Sequence, residues 1–168
     1  MADKPVIPVH IGEFRAASES CTLAVYGLGS CVALVLFDPE ARAGGLAHVL
    51  LPGPRPPAEP PSTLPAKYAT EALEALVPAL EALGARRARL RAALAGGARL
   101  FQAAEEMDSN IGPRNAAAVK GRLGEAGIPL AAEELGGTQG RTVLLHLPDL
   151  LLEVRTLRGG RTTLPLRP

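Results

Sequence analysis

Gly27-Leu28-Gly29-Ser30-Cys31-Val32-Ala33-Leu34-Val35-Leu36-Phe37-Asp38-Pro39 decides how this chain folds. Residues 32–37 are all apolar, with no polar alternation. Such a run suits a strand covered on both faces. The two glycines ahead of it mark a tight turn, and Asp38-Pro39 opens another that Gly44-Gly45 closes. A second strand-like run, residues 46–51, carries His48. Joined by so short a turn, the two runs are neighbours, and Cys31 and His48 can stand side by side. A thiol beside an imidazole is the minimal equipment for covalent acyl transfer.

Upstream, residues 6–14 read as one strand interrupted at Gly12, and residues 21–26 as another. Downstream, residues 53–65 hold six prolines in thirteen positions, which excludes helix and sheet. That segment is either a plain surface loop or a flap over the Cys/His pair, since it leaves directly from the strand bearing His48. Residues 68–83 place Leu73, Leu76, Val77, Leu80 and Leu83 at three- and four-residue spacing, one apolar helical stripe. Gly84 stops this helix, and Pro78 is expected to kink it or split off its last turn. Residues 87–95 read as a strand with Leu90 and Ala92 inward, and residues 103–111 as a loop. Residues 115–126 read as a second helix, with Asn115 as N-cap and Gly127 as its stop. Three strands close the domain at residues 130–135, 141–147 and 151–157, with a glycine turn at 136–140 between the first two. Residues 158–168 read as a frayed tail.

About eight strands and two main helices, without regular alternation, give an α+β domain. The 168 residues suffice for one core, so residues 1–168 read as a single domain. With Trp absent and aromatics at 3%, that core is aliphatic. Lys and Arg number 18 against 17 Asp and Glu. The balance argues against nucleic acid as a partner, which calls for a concentrated positive surface. No basic-then-apolar leader opens the sequence, and no apolar run approaches the ~20 residues that span a bilayer. The expected location is the cytoplasm, without direct membrane insertion. There Cys21 and Cys31 are expected to stay reduced. Zinc-type Cys/His spacing is missing, so no metal and no organic cofactor is expected.

The motifs, taken in order, resemble those of the CheD family of chemoreceptor glutamine deamidases. They are Gly-Leu-Gly-Ser-Cys-Val at 27–32, Asp38-Pro39, Leu-Ala-His-Val-Leu-Leu-Pro at 46–52 and Lys67-Tyr68-Ala69. Ala-Gly-Gly-Ala at 95–98, Ile-Gly-Pro-Arg-Asn at 111–115 and Gly-Gly-Thr-Gln-Gly-Arg at 136–141 complete the set. Each is short, but together and in this order they are specific, and they cover most of the chain. The resemblance implies a layered α/β/β sandwich and a Cys-His-Thr catalytic set. It also implies chemoreceptor cytoplasmic domains as substrates and a CheC-like CheY-phosphate phosphatase as a partner. Cys31 and His48 fall on the nucleophile and general-base positions. The family's threonine, six residues before the cysteine, is Val25 here, and valine cannot hydrogen-bond an imidazole. Thr22 lies three residues from it, an odd spacing that turns it to the other strand face. Either activity is reduced or another group, such as a backbone carbonyl, orients His48.

The chemistry expected of these residues is protein-glutamine deamidation. An imidazole lowers the pKa of its partner thiol, and the Cys31 thiolate attacks the glutamine carbonyl to give a thioester. His48 serves as general acid and base. Backbone N–H groups around Gly29 and Ser30 are the oxyanion or substrate-binding candidates. The competing expectation is a catalytically weakened binding module that docks to chemoreceptors or to a CheC-type phosphatase. A third is an unrelated Cys/His hydrolase of small amides. His10 and His146 are expected to be structural, Arg86, Arg87, Arg89 and Arg91 a solvated edge, and Arg114 and Asn115 a helix anchor. Gly96-Gly97 and Gly136-Gly137 either permit turns or border the substrate cleft.

Overall fold

The computed structural model describes residues 3–60, 64–100 and 110–166. They form ten strands in two five-stranded sheets, with two helices. One sheet contains β1 (Val6–Pro8), β3 (Cys21–Leu28), β8 (Arg141–Leu147), β9 (Leu151–Thr156) and β10 (Arg161–Pro165), in the order 1-3-8-9-10. The other contains β2 (Phe14–Ala17), β4 (Val32–Asp38), β5 (Ala43–Val49), β6 (Arg91–Gly96) and β7 (Leu130–Leu135), in the order 2-5-4-6-7. Helices α1 (Ala69–Glu81) and α2 (Ile111–Ala126) cover the second sheet. The layers are therefore helix, sheet, sheet, as the resemblance implies.

Strand β4 is the centre of this arrangement, and every residue in it is buried. Val32, Leu34 and Leu36 join the helix-side core with Leu73, Leu76 and Leu80. Ala33, Val35 and Phe37 join the inter-sheet core with Leu23, Val143 and Leu145. Burial on both faces explains why its sequence shows no polar alternation. Each large side chain so buried contributes roughly 1.5–3 kcal/mol.

Several boundaries differ from the sequence reading. Residues 6–14 do not form one strand: β1 pairs in parallel with β3, whereas β2 pairs with β5 in the other sheet. Gly12, at φ 81°, lets the chain turn from one sheet to the other. Gly44 and Gly45 belong to β5 rather than to a turn. A Cβ on Gly45 would lie 2.6 Å from Leu76 Cδ1, so this glycine admits α1 against the sheet. Helix α1 runs on through Pro78 to Glu81, and Leu83 is partly exposed beyond it. Residues 87–89 form a 3-10 turn ahead of β6. The expected tail contains β10, paired antiparallel with β9. Of the loop expected at 103–111, residues 103–109 lie outside the described residues, and Ile111 opens α2.

The arginine cluster near residue 89 is also more than a solvated edge. Asp38 is fully buried and accepts from the Arg89 guanidinium and from the backbone N–H groups of Arg86, Glu40 and Ala41. Against the cost of burial, these donors hold its carboxyl down at about 2.

Candidate functional site

The chain leaves the first sheet at Leu28 and enters the second at Val32, so residues 29–31 are the crossing between layers. Their three successive carbonyls are all tied down. Gly29 O accepts from Ala98 N at 3.0 Å, and Cys31 O from Gly97 N at 2.9 Å. Ser30 O accepts from Asn115 Nδ2 at 3.0 Å. Among the described residues no backbone carbonyl accepts the N–H groups of Ser30 or Cys31. The glycines of 96–97 brace this crossing. A Cβ on Gly96 would come within 2.4 Å of Cys31 O, so only glycine admits so close an approach. Arg141 supports the brace from behind: its guanidinium is buried, pairs with Glu134 and donates to Gly96 O and Gly136 O. Beyond the crossing, Gly27, Gly29, Leu100, Arg141, Arg155 and Leu157 help line a cavity of about 430 Å³.

Strands β4 and β5 pair antiparallel, with Ala33 opposite His48 and Val32 opposite Val49. Side chains alternate along a strand, so Cys31, Ala33 and His48 face the same way, toward the other sheet. The thiol and the imidazole are diagonal neighbours at the end of the ladder, a relation with Cα atoms about 7–8 Å apart. Both are buried.

His48 is held from three sides. Its N–H donates to Glu13 O and its carbonyl accepts from Gly12 N, both at 2.9 Å. Its Nδ1 lies 3.1 Å from Val9 O. A carbonyl can only accept, so Nδ1 carries the proton and Nε2 carries the lone pair. Among the described residues Nε2 meets no hydrogen-bond partner. The Val9 carbonyl thus orients the ring where the family position holds Val25. Val25 itself is buried among inter-sheet apolar side chains. Thr22 is on the opposite face, against His146, with Oγ1 3.0 Å from Nδ1.

Burial governs the protonation of both groups. It pushes the Cys31 thiol above its ordinary pKa, opposed by a hydrogen bond from the residue's own backbone. It pushes His48 below the usual imidazole value, opposed by the Val9 bond. Burial therefore disfavours the charged form of both groups, the thiolate and the imidazolium. The preformed thiolate expected from the sequence is not favoured in this state.

Asn115 is not a helix cap. Helix α2 begins at Ile111, and Asn115 is fully buried one turn inside it. Gly112 makes that position reachable, because a Cβ there would lie 2.4 Å from Ala98 O. Asn115 and Val9 are the site residues that sequence reasoning assigned to other roles or passed over. Asn115 stood in a quoted motif, whereas a carbonyl such as that of Val9 leaves no trace in side-chain identity.

Of the proline-rich segment, residues 61–63 lie outside the described residues, and Arg55 and Glu59 are tied to residues 67–71. Arg55 pairs with Glu71, Lys67 with Glu59, and the Tyr68 hydroxyl donates to Glu59. Leu50 N and Leu51 N both donate to Lys67 O, which holds Lys67, just past the segment, beside the end of the strand of His48. His10 is exposed and pairs with Glu13 at 2.9 Å. Cys21 and Cys31 are both free thiols.

A family profile described as CheD chemotactic sensory transduction matches residues 50–156. Relatives match over nearly the whole chain. A probable chemoreceptor glutamine deamidase CheD of Archaeoglobus fulgidus is 44% identical over 154 residues, 92% of this chain and 95% of its own length. The chemoreceptor glutamine deamidase CheD of Thermotoga maritima is 40% identical over 152 residues, 90% of this chain and 92% of its own. That of Bacillus subtilis is 38% identical over 167 residues, 95% of this chain and 96% of its own. The chain belongs to the CheD family. As a family member it departs from the implied Cys-His-Thr set at Val25, where the Val9 carbonyl holds the imidazole. No helix among the described residues is long and apolar enough to cross a membrane.

Proposed function

We propose that this protein is a chemoreceptor glutamine deamidase that works through Cys31 and His48. The observation that carries the reading is the orientation of His48. Its Nδ1–H is spent on Val9 O, which leaves the Nε2 lone pair as a base on the face shared with Cys31. The names of the relatives support the substrate class.

In this mechanism Nε2 takes the proton from Sγ as sulfur attacks the side-chain carbonyl carbon of a receptor glutamine. The oxyanion that forms is met by the N–H groups of Ser30 and Cys31, whose neighbouring carbonyls are already engaged. The imidazolium returns its proton to the departing nitrogen, and ammonia leaves behind a thioester. Water then gives a proton to Nε2, attacks the thioester and releases glutamate, and the thiol is regenerated. A buried, neutral pair suits this sequence, because the proton moves only when substrate is present. The reaction belongs in the cytoplasm, where receptor helices carry the glutamines. No metal or organic cofactor enters any step.

A second reading is favoured by the raised pKa of Cys31 and by Val25. Here the domain has weakened catalysis and acts by docking to chemoreceptors or to a CheC-like phosphatase. One experiment separates the two. A purified chemoreceptor cytoplasmic fragment is incubated with wild-type protein and with Cys31→Ala. Ammonia release and glutamine-to-glutamate conversion by mass spectrometry are followed. Conversion by wild type alone is the expected result. Binding of the fragment without conversion would replace the enzyme by the docking module.

A further inference from the structure

Asn115 has a geometry that neither helix capping nor packing accounts for. Its Nδ2 donates to Ser30 O at 3.0 Å and to Leu50 O at 2.9 Å. Both acceptors are carbonyls, so the NH₂ group must face them and Oδ1 must face away. Oδ1 is buried and, among the described residues, has no hydrogen-bond partner. A residue kept for stability alone would not leave a buried acceptor unmatched, since an apolar side chain of similar volume packs without that penalty.

The two carbonyls are not arbitrary points. Ser30 immediately precedes Cys31, and Leu50 follows His48 by two residues. The last pair of the β4–β5 ladder is Val32 with Val49. Beyond it the strands share no ladder bond, and there the amide of a third element spans the gap. We propose that Asn115 is a positioning residue: its amide clamps Ser30 to Leu50 and so holds the Cys31 thiol in reach of His48. The inference rests on the Cys31/His48 reading given above. Gly112 and the Gly97-Ala98 backbone set the reach of the clamp by letting the start of α2 approach the crossing.

The test compares wild type with Asn115→Leu, Asn115→Gln and the packing control Val119→Ala, a buried apolar site one turn further along α2. Three quantities are read: kcat and KM for ammonia release from the receptor fragment, Cys31 alkylation by iodoacetamide against pH, and the thermal midpoint. Asn115→Leu is expected to lower kcat about 10- to 100-fold with KM within about threefold, as a misplaced nucleophile does. Its alkylation rate near neutral pH should fall to that of His48→Ala. Asn115→Gln, with the same donors on a longer arm, should recover part of the loss. Val119→Ala should lower the midpoint and keep kcat. A kcat within threefold of wild type in folded Asn115→Leu overturns the proposal. So does a loss that merely tracks the folded fraction in either Asn115 variant. Should wild type release no ammonia, alkylation still decides. Slowing by His48→Ala and Asn115→Leu alike keeps the clamp while the substrate reading fails, and indifference to Asn115→Leu removes the clamp.

Discussion

His48 and His146 occupy one sheet each and use their rings in opposite ways. His146 lies on β8 and engages both nitrogens, Nδ1 with Thr22 Oγ1 at 3.0 Å and Nε2 with Glu153 Oε1 at 3.1 Å. Glu153 in turn pairs with Arg155 and Arg161. Among the described residues His48 engages only Nδ1, on a carbonyl that cannot give a proton back. The first arrangement is a cross-strand staple, because every lone pair and proton has a partner. The second leaves a base without an acid, which is the condition for moving a proton to and from substrate. Histidine identity alone does not separate these roles, but the accounting of ring nitrogens does.

The comparison breaks first at the level of rate. His48→Ala is expected to lower kcat by about 10²- to 10⁴-fold, the range for loss of a general acid-base, with the fold retained. His146→Ala should leave kcat within about twofold. Equal losses in both variants, measured as ammonia release, would show that the distinction is wrong.

The pH dependence sharpens the same point. His48 must be neutral to act, and burial keeps its pKa below the ordinary 6.5. The acid limb of kcat/KM should therefore fall below pH 6.5. The stability sign agrees. A depressed imidazole pKa means that the folded state resists the proton, so the contribution is complete above 6.5 and is lost as pH drops below it. An acid limb above pH 6.5 in a kcat/KM titration would contradict the burial argument.

At His146 the effect belongs to stability. Removing its ring leaves the buried Glu153 carboxylate short of one donor, at a cost of roughly 1–3 kcal/mol in chemical unfolding. Glu153 is held below its usual value against the cost of burial, by hydrogen bonds from Arg155 and His146 and by the charges of Arg155 and Arg161. That stabilisation is present above about pH 4.5 and fades as pH falls through the lowered folded value. A denaturation midpoint unchanged in His146→Ala would remove the staple.

The smallest effect is expected at Val25. Val25→Thr introduces a hydroxyl into the inter-sheet core, yet Nδ1 of His48 already has an acceptor in Val9 O. Activity should change by less than about threefold, with a stability loss of about 1–3 kcal/mol from the buried hydroxyl. A large gain in kcat would mean that the carbonyl orients the ring poorly and that the valine does limit catalysis.

Much of this was legible in the chain. The apolar run at 32–37 announced a doubly covered strand because burial on both faces removes the need for polar residues. The hairpin turn brought His48 onto the strand paired with the one that Cys31 immediately precedes, because only a few residues separate the two runs. Helix α1 was visible in its leucine spacing. The misread parts share a cause. The stretch read as one strand at 6–14 holds β1 and only the start of β2, which belong to different sheets, and no local pattern records which sheet a strand of three or four residues joins. Strand β10 is polar and lies at an edge, where solvent exposure hides the strand pattern. Asn115 looks like a cap because asparagine favours helix starts, yet Gly112, the second residue of α2, brings it into the interior.

The sequence by itself therefore determined the α+β class, the thiol and imidazole and the strand pairing that relates them, because these depend on side-chain identity and short separations. Only the tertiary structure decided which atom orients His48 and what spans Ser30 and Leu50. Both contacts end on backbone carbonyls, Val9 O at one and Ser30 O and Leu50 O at the other. Every residue carries that group, so its role is set by where the fold places it and by nothing in the side chain.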